Sequence, residues 1–221
     1  MKLTFLEKIK RTETIKSFRF SSQENVTFIP GQFTRLIFDE DRKDNRTLNK
    51  YLSFSCAPGK AYIEVTKRVS DSEFSRRLDG LRRGERVLFA SPMGNCVFSE
   101  DYKKIGFLIG GIGVTPVISI LEYVVERNLN TDALLLYSNR SSDDIAFKNE
   151  LDAWSSQAPG IRIIHKIGRI DKDAVTRHMP DGRERVIFIF GPPAMVGAMK
   201  DICLEAGYAK DMLKTENFVG Y

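Results

Sequence analysis

Through the first hundred residues, apolar and polar positions change places in short bursts separated by turn residues. The bursts fall at 12–20, 33–38, 51–56, 61–67 and 87–90. Short strands at such regular spacing predict a sandwich or barrel. One stretch breaks the rhythm: Phe74, Leu78 and Leu81 recur at helical spacing with Gly84 beyond them, so a helix is expected over 72–81. From about residue 104 the grammar changes. Continuous apolar runs at 105–109, 133–137, 161–167 and 186–190 read as strands buried on both faces. Segments at 117–125, 145–154, 171–178 and 194–206 read as the helices between them. The expected fold is two domains: an N-terminal antiparallel β-barrel over 1–100, then a C-terminal α/β domain over 101–221 with a doubly wound parallel sheet. The boundary is placed at 100–103.

Composition removes several function classes. Of 221 residues, 42% are hydrophobic and 29% charged, which suits a folded core and excludes wholesale disorder. The opening MKLTFLEKIK alternates apolar and charged residues, unlike a signal peptide. No uncharged apolar run approaches the roughly 18–20 residues of a membrane helix. A soluble, cytoplasmic protein is expected. Cys56, Cys96 and Cys203 are far apart and histidine is limited to His165 and His178, so neither a disulfide framework nor a metal or iron–sulfur site is expected. The net charge of +5 is dispersed rather than set in a stripe, which speaks against nucleic acid. The densest basic stretch, Arg76, Arg77, Arg82, Arg83 and Arg86, reads either as a solvated helix end or as a docking patch for an acidic partner.

The strongest local motif is Gly110-Gly111-Ile112-Gly113-Val114-Thr115-Pro116, between an apolar strand and a helix. Its glycines permit the turn and let phosphates approach the backbone. Thr115 is expected as the N-cap and Pro116 at the first helical position, with free N–H groups offered to an anion. A second such turn is Gly191-Pro192-Pro193-Ala194-Met195, and Ser138-Asn139-Arg140 follows the strand between them. All three lie at the carboxyl edge of the predicted sheet, where nucleotides bind. Arg140 reads as a phosphate partner or as a surface charge. In the first domain, alternation puts Ser53 and Ser55 on the face opposite Leu52, Phe54 and Cys56. Those hydroxyls either meet solvent or hydrogen-bond a heteroaromatic ligand.

In this order the motifs resemble the ferredoxin–NADP reductase superfamily over essentially the whole chain, closest to compact bacterial single-flavin reductases without an iron–sulfur domain. Pro30-Gly31-Gln32-Phe33 is similar to the family's PGQF strand entry. Lys50 to Ser53 occupies the place of its R-x-Y-S flavin motif. Ser72-Glu73-Phe74-Ser75 with Leu78 resembles G-x-x-S-x-x-L, and Ser91-Pro92-Met93-Gly94 resembles GPxG. Gly110 to Pro116 matches GGxGxTP, Gly191 to Met195 resembles C-G-P-P-x-M, and Glu216 to Tyr221 resembles E-x-F-x-G-Y. Lys50, Leu52, Ser72 and Phe190 stand where the family has Arg, Tyr, Gly and Cys.

The resemblance implies a Greek-key flavin barrel and an FAD-dependent NAD(P)H oxidoreductase, with FAD preferred to FMN. It implies FAD against Lys50, Tyr51, Leu52, Ser53, Thr66, Lys67, Ser72, Phe74 and Ser75. It implies NADPH or NADH across Gly111, Gly113, Thr115, Pro116, Ser138, Asn139, Arg140, Gly191, Pro192 and Met195. Ser53 is expected near flavin N5, Glu216 as its proton-handling partner, and Phe218 and Tyr221 over the flavin ring, with Ser53, Glu216 and Tyr221 in catalytic roles. Arg140, Lys148 and Ser138 favour a 2′-phosphate, whereas Asp143 and Asp144 oppose it, a balance that leans to NADPH. The implied partner is an electron carrier, ferredoxin or flavodoxin, at Arg76, Arg77 and Arg83. Alternatives are the reductase component of an oxygenase, a free-flavin reductase, and a non-catalytic flavin- or nucleotide-binding module.

Overall fold

A computed structural model describes residues 1–22 and 26–218. Alternation builds the first domain. Strand β1 (Lys2–Lys10) turns Leu3 and Phe5 inward, and β2 (Ile15–Ser21) does the same with Phe18 and Phe20. Strands β3 (Phe33–Ile37), β4 (Asn49–Ser53), β5 (Ile63–Arg68) and β6 (Arg86–Phe89) complete an antiparallel sheet in the order β4-β3-β6-β1-β2-β5. The sheet closes on itself. Just past β4, Phe54 bridges to Val65, and the Ser55 N–H donates to the Glu64 carbonyl at 2.9 Å. This contact covers part of the edge that β5 would otherwise leave bare. Phenylalanines fill the interior: Phe20 meets Phe5 and Phe89 edge-on at 5.5 and 4.9 Å between centroids, and Phe28 stacks on Phe54 at 4.1 Å. Helix α1 (Glu73–Asp79) adds Phe74 and Leu78 to this core, with the Ser72 hydroxyl accepting the Ser75 N–H at its start.

The second domain is a parallel sheet in the order β11-β10-β7-β8-β9. Its strands are β7 (Lys104–Gly110), β8 (Asp132–Asn139), β9 (Ile161–Ile167), β10 (Val186–Gly191) and β11 (Leu213–Asn217). Between them run α2 (Thr115–Glu126), α3 (Lys148–Gln157), α4 (Lys172–His178) and α5 (Pro193–Glu205). Alternate strand residues serve two cores. Phe107, Ile109, Tyr137 and Phe188 pack with α2 and α3, while Leu108, Leu136, Ile187 and Ile189 pack with α4 and α5. Ile15, Cys96 and Phe98 from the first hundred residues join the α2–α3 side, so the two domains share one apolar cluster. The strand order reverses between β7 and β10, the switch point of a doubly wound sheet. No described helix is long and apolar enough to cross a membrane.

The sequence pattern misses the strands at the two ends of the chain. The exposed residues of β1 (Lys2, Glu7, Lys8 and Lys10) are all charged and a register shift between Phe5 and Glu7 interrupts its alternation, while β11 is a polar edge strand paired only to β10. The expected strand 51–56 stops at Ser53, because from Phe54 the chain has already crossed to β5. Thr115 is not the N-cap. A tight 3₁₀ turn over Gly111–Val114 precedes α2, so Thr115 is already its first residue and donates its hydroxyl back to the Ile112 carbonyl at 3.2 Å. The helix expected from residue 145 starts at Lys148. Phe147, buried to 3%, adopts a left-handed φ of 59° that a helix cannot continue through.

At the amino-terminal edge of the parallel sheet, the Arg185 guanidinium is fully buried. It donates to the carbonyls of Ile105 and Asp132 at 3.0 and 2.9 Å and to the carboxylates of Asp132 and Asp181 at 2.7 and 2.8 Å. Its hydrogen bond holds the Asp181 carboxyl below the usual range. Arg185→Met is expected to lower the unfolding free energy by about 2–4 kcal/mol in urea titrations at pH 7. The depressed Asp181 contributes stability only while ionised, so the deficit should shrink as the pH falls below about 4.

Candidate active site between barrel and sheet

Between the barrel and the carboxyl edge of the parallel sheet lies a cavity of about 300 Å³. The barrel side supplies Phe33, Lys50, Tyr51, Leu52 and Ser53 from β3 and β4, Thr66, Lys67 and Arg68 from β5, and Met93. The other side supplies Ile112, Thr115, Glu216, Asn217 and Phe218. Thus Lys50, Tyr51, Leu52, Ser53, Thr66, Lys67, Thr115, Glu216 and Phe218, scattered over the sequence, line one space. The antiparallel closure of β4 on β5 explains part of this, because it sets the start of one strand beside the end of the other.

Burial, and then the nearby Lys50 cation, lower the proton affinity of the half-buried Lys67 ammonium. No carboxylate pairs with Lys67 among the described residues. Arg68 donates to the Thr14 hydroxyl at 2.6 Å, and its Nη2 faces Gly111 across the domain boundary. Glu216 stands at the opposite wall, close to Gly94, with no hydrogen-bond or ion-pair partner among the described residues. Burial pushes its carboxyl up to about 7. A proton therefore enters or leaves this wall in the neutral range.

The glycine turn meets the cavity edge-on. Gly111 has a left-handed φ of 51°, and Gly113 packs so tightly against β10 that a Cβ there would lie 2.3 Å from the Phe190 carbonyl oxygen. The Phe190 ring itself is fully buried in the α2–α3 core. Met195 covers Gly110 and Gly191 from the start of α5, placing Gly191, Pro192 and Met195 across the switch point from Gly111, Gly113 and Pro116. Ser72 and Ser75 join Ser70 in a hydroxyl cluster at the start of α1. Phe74 presents no ring to the cavity, being fully buried in the barrel. Ser138 and Asn139 end β8 and Arg140 follows it, and none of the three lines the cavity. The Ser138 hydroxyl is spent on the Gly168 carbonyl at 2.6 Å and the Lys148 ammonium on Asp152. Of the groups nominated for a 2′-phosphate, Arg140 is the exposed one without an ion pair among the described residues, and exposed Arg169 follows the adjoining strand end. Tyr221 lies outside the described residues. Phe33, Arg68, Met93, Ile112 and Asn217 were missed as site residues. The adjacent basic pair at the end of β5 was the available signal for Arg68.

The raised proton affinity of Glu216 has a defined sign in stability. The folded chain holds this proton where the unfolded chain has released it, so stability falls as the pH rises from about 4.5 to about 7. Glu216→Gln removes that loss, on the order of 2–3 kcal/mol. Its melting temperature relative to the parent should therefore rise between pH 5 and pH 8 in differential scanning calorimetry; a constant difference would show Glu216 ionising normally.

Comparison with known proteins supports this reading. The oxidoreductase NAD-binding domain family matches residues 107–201, from β7 into α5. An NADH-cytochrome b5 reductase-like protein of Arabidopsis thaliana is 26% identical over 80% of this chain and 62% of its own. A glycine betaine monooxygenase reductase subunit of Pseudomonas aeruginosa is 29% identical over 95% of this chain and 62% of its own. The chain thus spans about three fifths of the length of these curated relatives. A solved ferredoxin–NADP⁺ reductase of Neisseria gonorrhoeae, with bound FAD and NADP, shares the fold at a TM-score of 0.83 and 21% identity, over 100% of this chain and 98% of that one. Residues 107–201 thus carry an oxidoreductase NAD-binding domain, and the barrel-then-sheet fold is shared with that solved ferredoxin–NADP⁺ reductase.

Proposed function

We propose that this protein is an FAD-dependent NAD(P)H oxidoreductase that hands electrons to a separate one-electron acceptor. The observation that carries the reading is the cavity lined by an unneutralised Lys67 beside Lys50 on the barrel side and by Ile112 and Thr115 of the glycine-turn segment on the other. A half-buried ammonium disfavoured by a like charge fits an anionic ligand, and a dinucleotide brings a diphosphate. Leu52, Ile112 and Phe218 offer apolar walls for a planar ring, and Ser53, 7% exposed, offers a hydroxyl among them. FAD, when bound, accepts a hydride equivalent and returns electrons singly.

The chain's own part is to hold and orient. Lys50 and Lys67 would bind the diphosphate of FAD, while Gly111 and Gly113 leave room for that of the nicotinamide dinucleotide with Arg68 beside them. Ser53 would hydrogen-bond the ring edge nearest the second domain. Glu216 would hold a proton at the same wall and yield it near neutral pH. Fixing both reactants in one dry space replaces an encounter in solution by a local transfer. Arg140 and Arg169 favour NADPH over NADH.

For the acceptor, ferredoxin or flavodoxin suits the exposed Arg76 and Arg83 and the partly engaged Arg77, which pairs with Glu85 at 3.2 Å. The two relatives named above serve cytochrome b5-type and oxygenase systems by their names, which makes an oxygenase component the second reading.

The test is to load the protein with FAD and add NADPH and NADH separately without oxygen. Bleaching of the flavin bands, faster with NADPH, is expected. Lys67→Ala should weaken FAD binding about tenfold or more, and charge reversal at Arg76 and Arg83 should slow transfer to an acidic carrier but leave bleaching intact. A loaded protein that neither nucleotide bleaches would leave a flavin- or nucleotide-binding module without turnover.

A further inference from the structure

We infer that Arg11 is a positioning residue that couples the cavity wall to the NAD-binding domain and so sets how the two halves of the site face each other. The inference rests on the hydride-transfer reading above. Arg11 lies in the turn between β1 and β2, with its side chain 10% exposed. Its guanidinium is engaged on every side. Nε donates to the Ser17 hydroxyl at 2.8 Å, and Nη2 donates to both carboxylate oxygens of Glu64 at 3.2 and 3.3 Å. Nη1 reaches across the domain boundary to Glu150, and the guanidinium carbon lies 4.2 Å from the centroid of the Phe147 ring. Phe147 and Glu150 are where helix α3 begins.

A chain of hydroxyls leads from the same guanidinium into the cavity wall. Ser17 Oγ meets Thr66 Oγ1 at 2.6 Å, Thr66 Oγ1 meets Ser55 Oγ at 2.7 Å, and Ser55 Oγ donates to Glu64 Oε1 at 3.1 Å. The proton directions follow. Ser55 has one proton and spends it on the carboxylate, so Thr66 must donate to Ser55 and Ser17 to Thr66. That leaves Ser17 to accept from Arg11. Two arms thus leave Arg11 and meet again at Glu64, with every hydroxyl donor and acceptor along them assigned. Thr66 is cavity wall, and the next outward residue of β5, Arg68, faces the Gly111 turn. A planar fork can hold the hydroxyl arm, Glu64 and Glu150 together, whereas a lysine offers one nitrogen. A shift of α3 is therefore felt at Thr66, and a shift of β5 is felt at α3.

The experiment compares the parent with Arg11→Lys and Glu150→Gln, each carrying spin labels at Lys43→Cys and Asp173→Cys, exposed positions in the two domains. The native cysteines are buried and do not compete. Both variants should fold and keep FAD uptake and the NADPH dissociation constant within about twofold. The inter-label distance distribution should broaden, and single-turnover flavin bleaching should slow about tenfold in Arg11→Lys and less in Glu150→Gln. Distances and bleaching rates like the parent's in both variants would overturn the proposal, as would broadened distances with an unchanged rate. If Arg11→Lys does not fold, Glu150→Gln, whose side chain is 39% exposed and outside the hydroxyl chain, decides alone. If the parent itself does not bleach, the hydride reading fails, while the distance distributions still decide the coupling.

Discussion

A carboxylate buried to 2% exposure in a barrel wall has to be answered by donors, and the way Glu64 is answered organises this molecule. Arg11, Arg19 and Ser55 all bond to it, drawing the β1–β2 turn, the middle of β2 and the segment after β4 onto one strand. That strand, β5, closes the barrel through the Phe54–Val65 bridge and carries Thr66, Lys67 and Arg68 to the cavity. Closure, the polar network and the cavity wall are thus properties of six residues of chain. Because the same arginine also reaches Glu150 and Phe147, the barrel is not free to turn beneath the second domain without breaking a part-buried ion pair and a cation–π contact.

The second constraint is steric. The strand order of the parallel sheet reverses between β7 and β10, and a loop can pass there only if nothing protrudes from it. Gly113 has no room for a methyl group against the Phe190 carbonyl, and this brings the turn of residues 111–114 down onto the sheet edge, with Gly111 facing Arg68. Burial then does opposite things to the two kinds of charge. It lowers the proton affinity of Lys67 and raises that of Glu216. The cavity disfavours isolated charge of either sign, as expected of a site whose ligand brings its own charge.

The partner is the least constrained part of the picture, for a physical reason. The exposed arginines at the end of α1 are solvated on the isolated chain, and neither packing nor geometry commits them to one acceptor. Related chains carry names that point to different electron-transfer systems, consistent with an outer surface left free to vary.

Periodicity was enough to read the barrel and the parallel sheet, because burial on one face or two writes a period of two or a continuous apolar run into any strand. Local motifs were enough for the glycine turns and for Lys50 to Ser53. The sequence was silent about the strand at each end, whose polarity reflects charged outward faces and edge position. It also misassigned Thr115, since whether a residue caps a helix or begins it depends on how far the preceding turn is compressed against β10. Glu64, Arg11, Thr66 and Glu150 lie up to 139 residues apart, and in one dimension each is an ordinary polar residue. Only the closed barrel, by removing water from Glu64, made them necessary to one another. Spacing along a chain records which face is buried; it does not record which polar groups must then find each other.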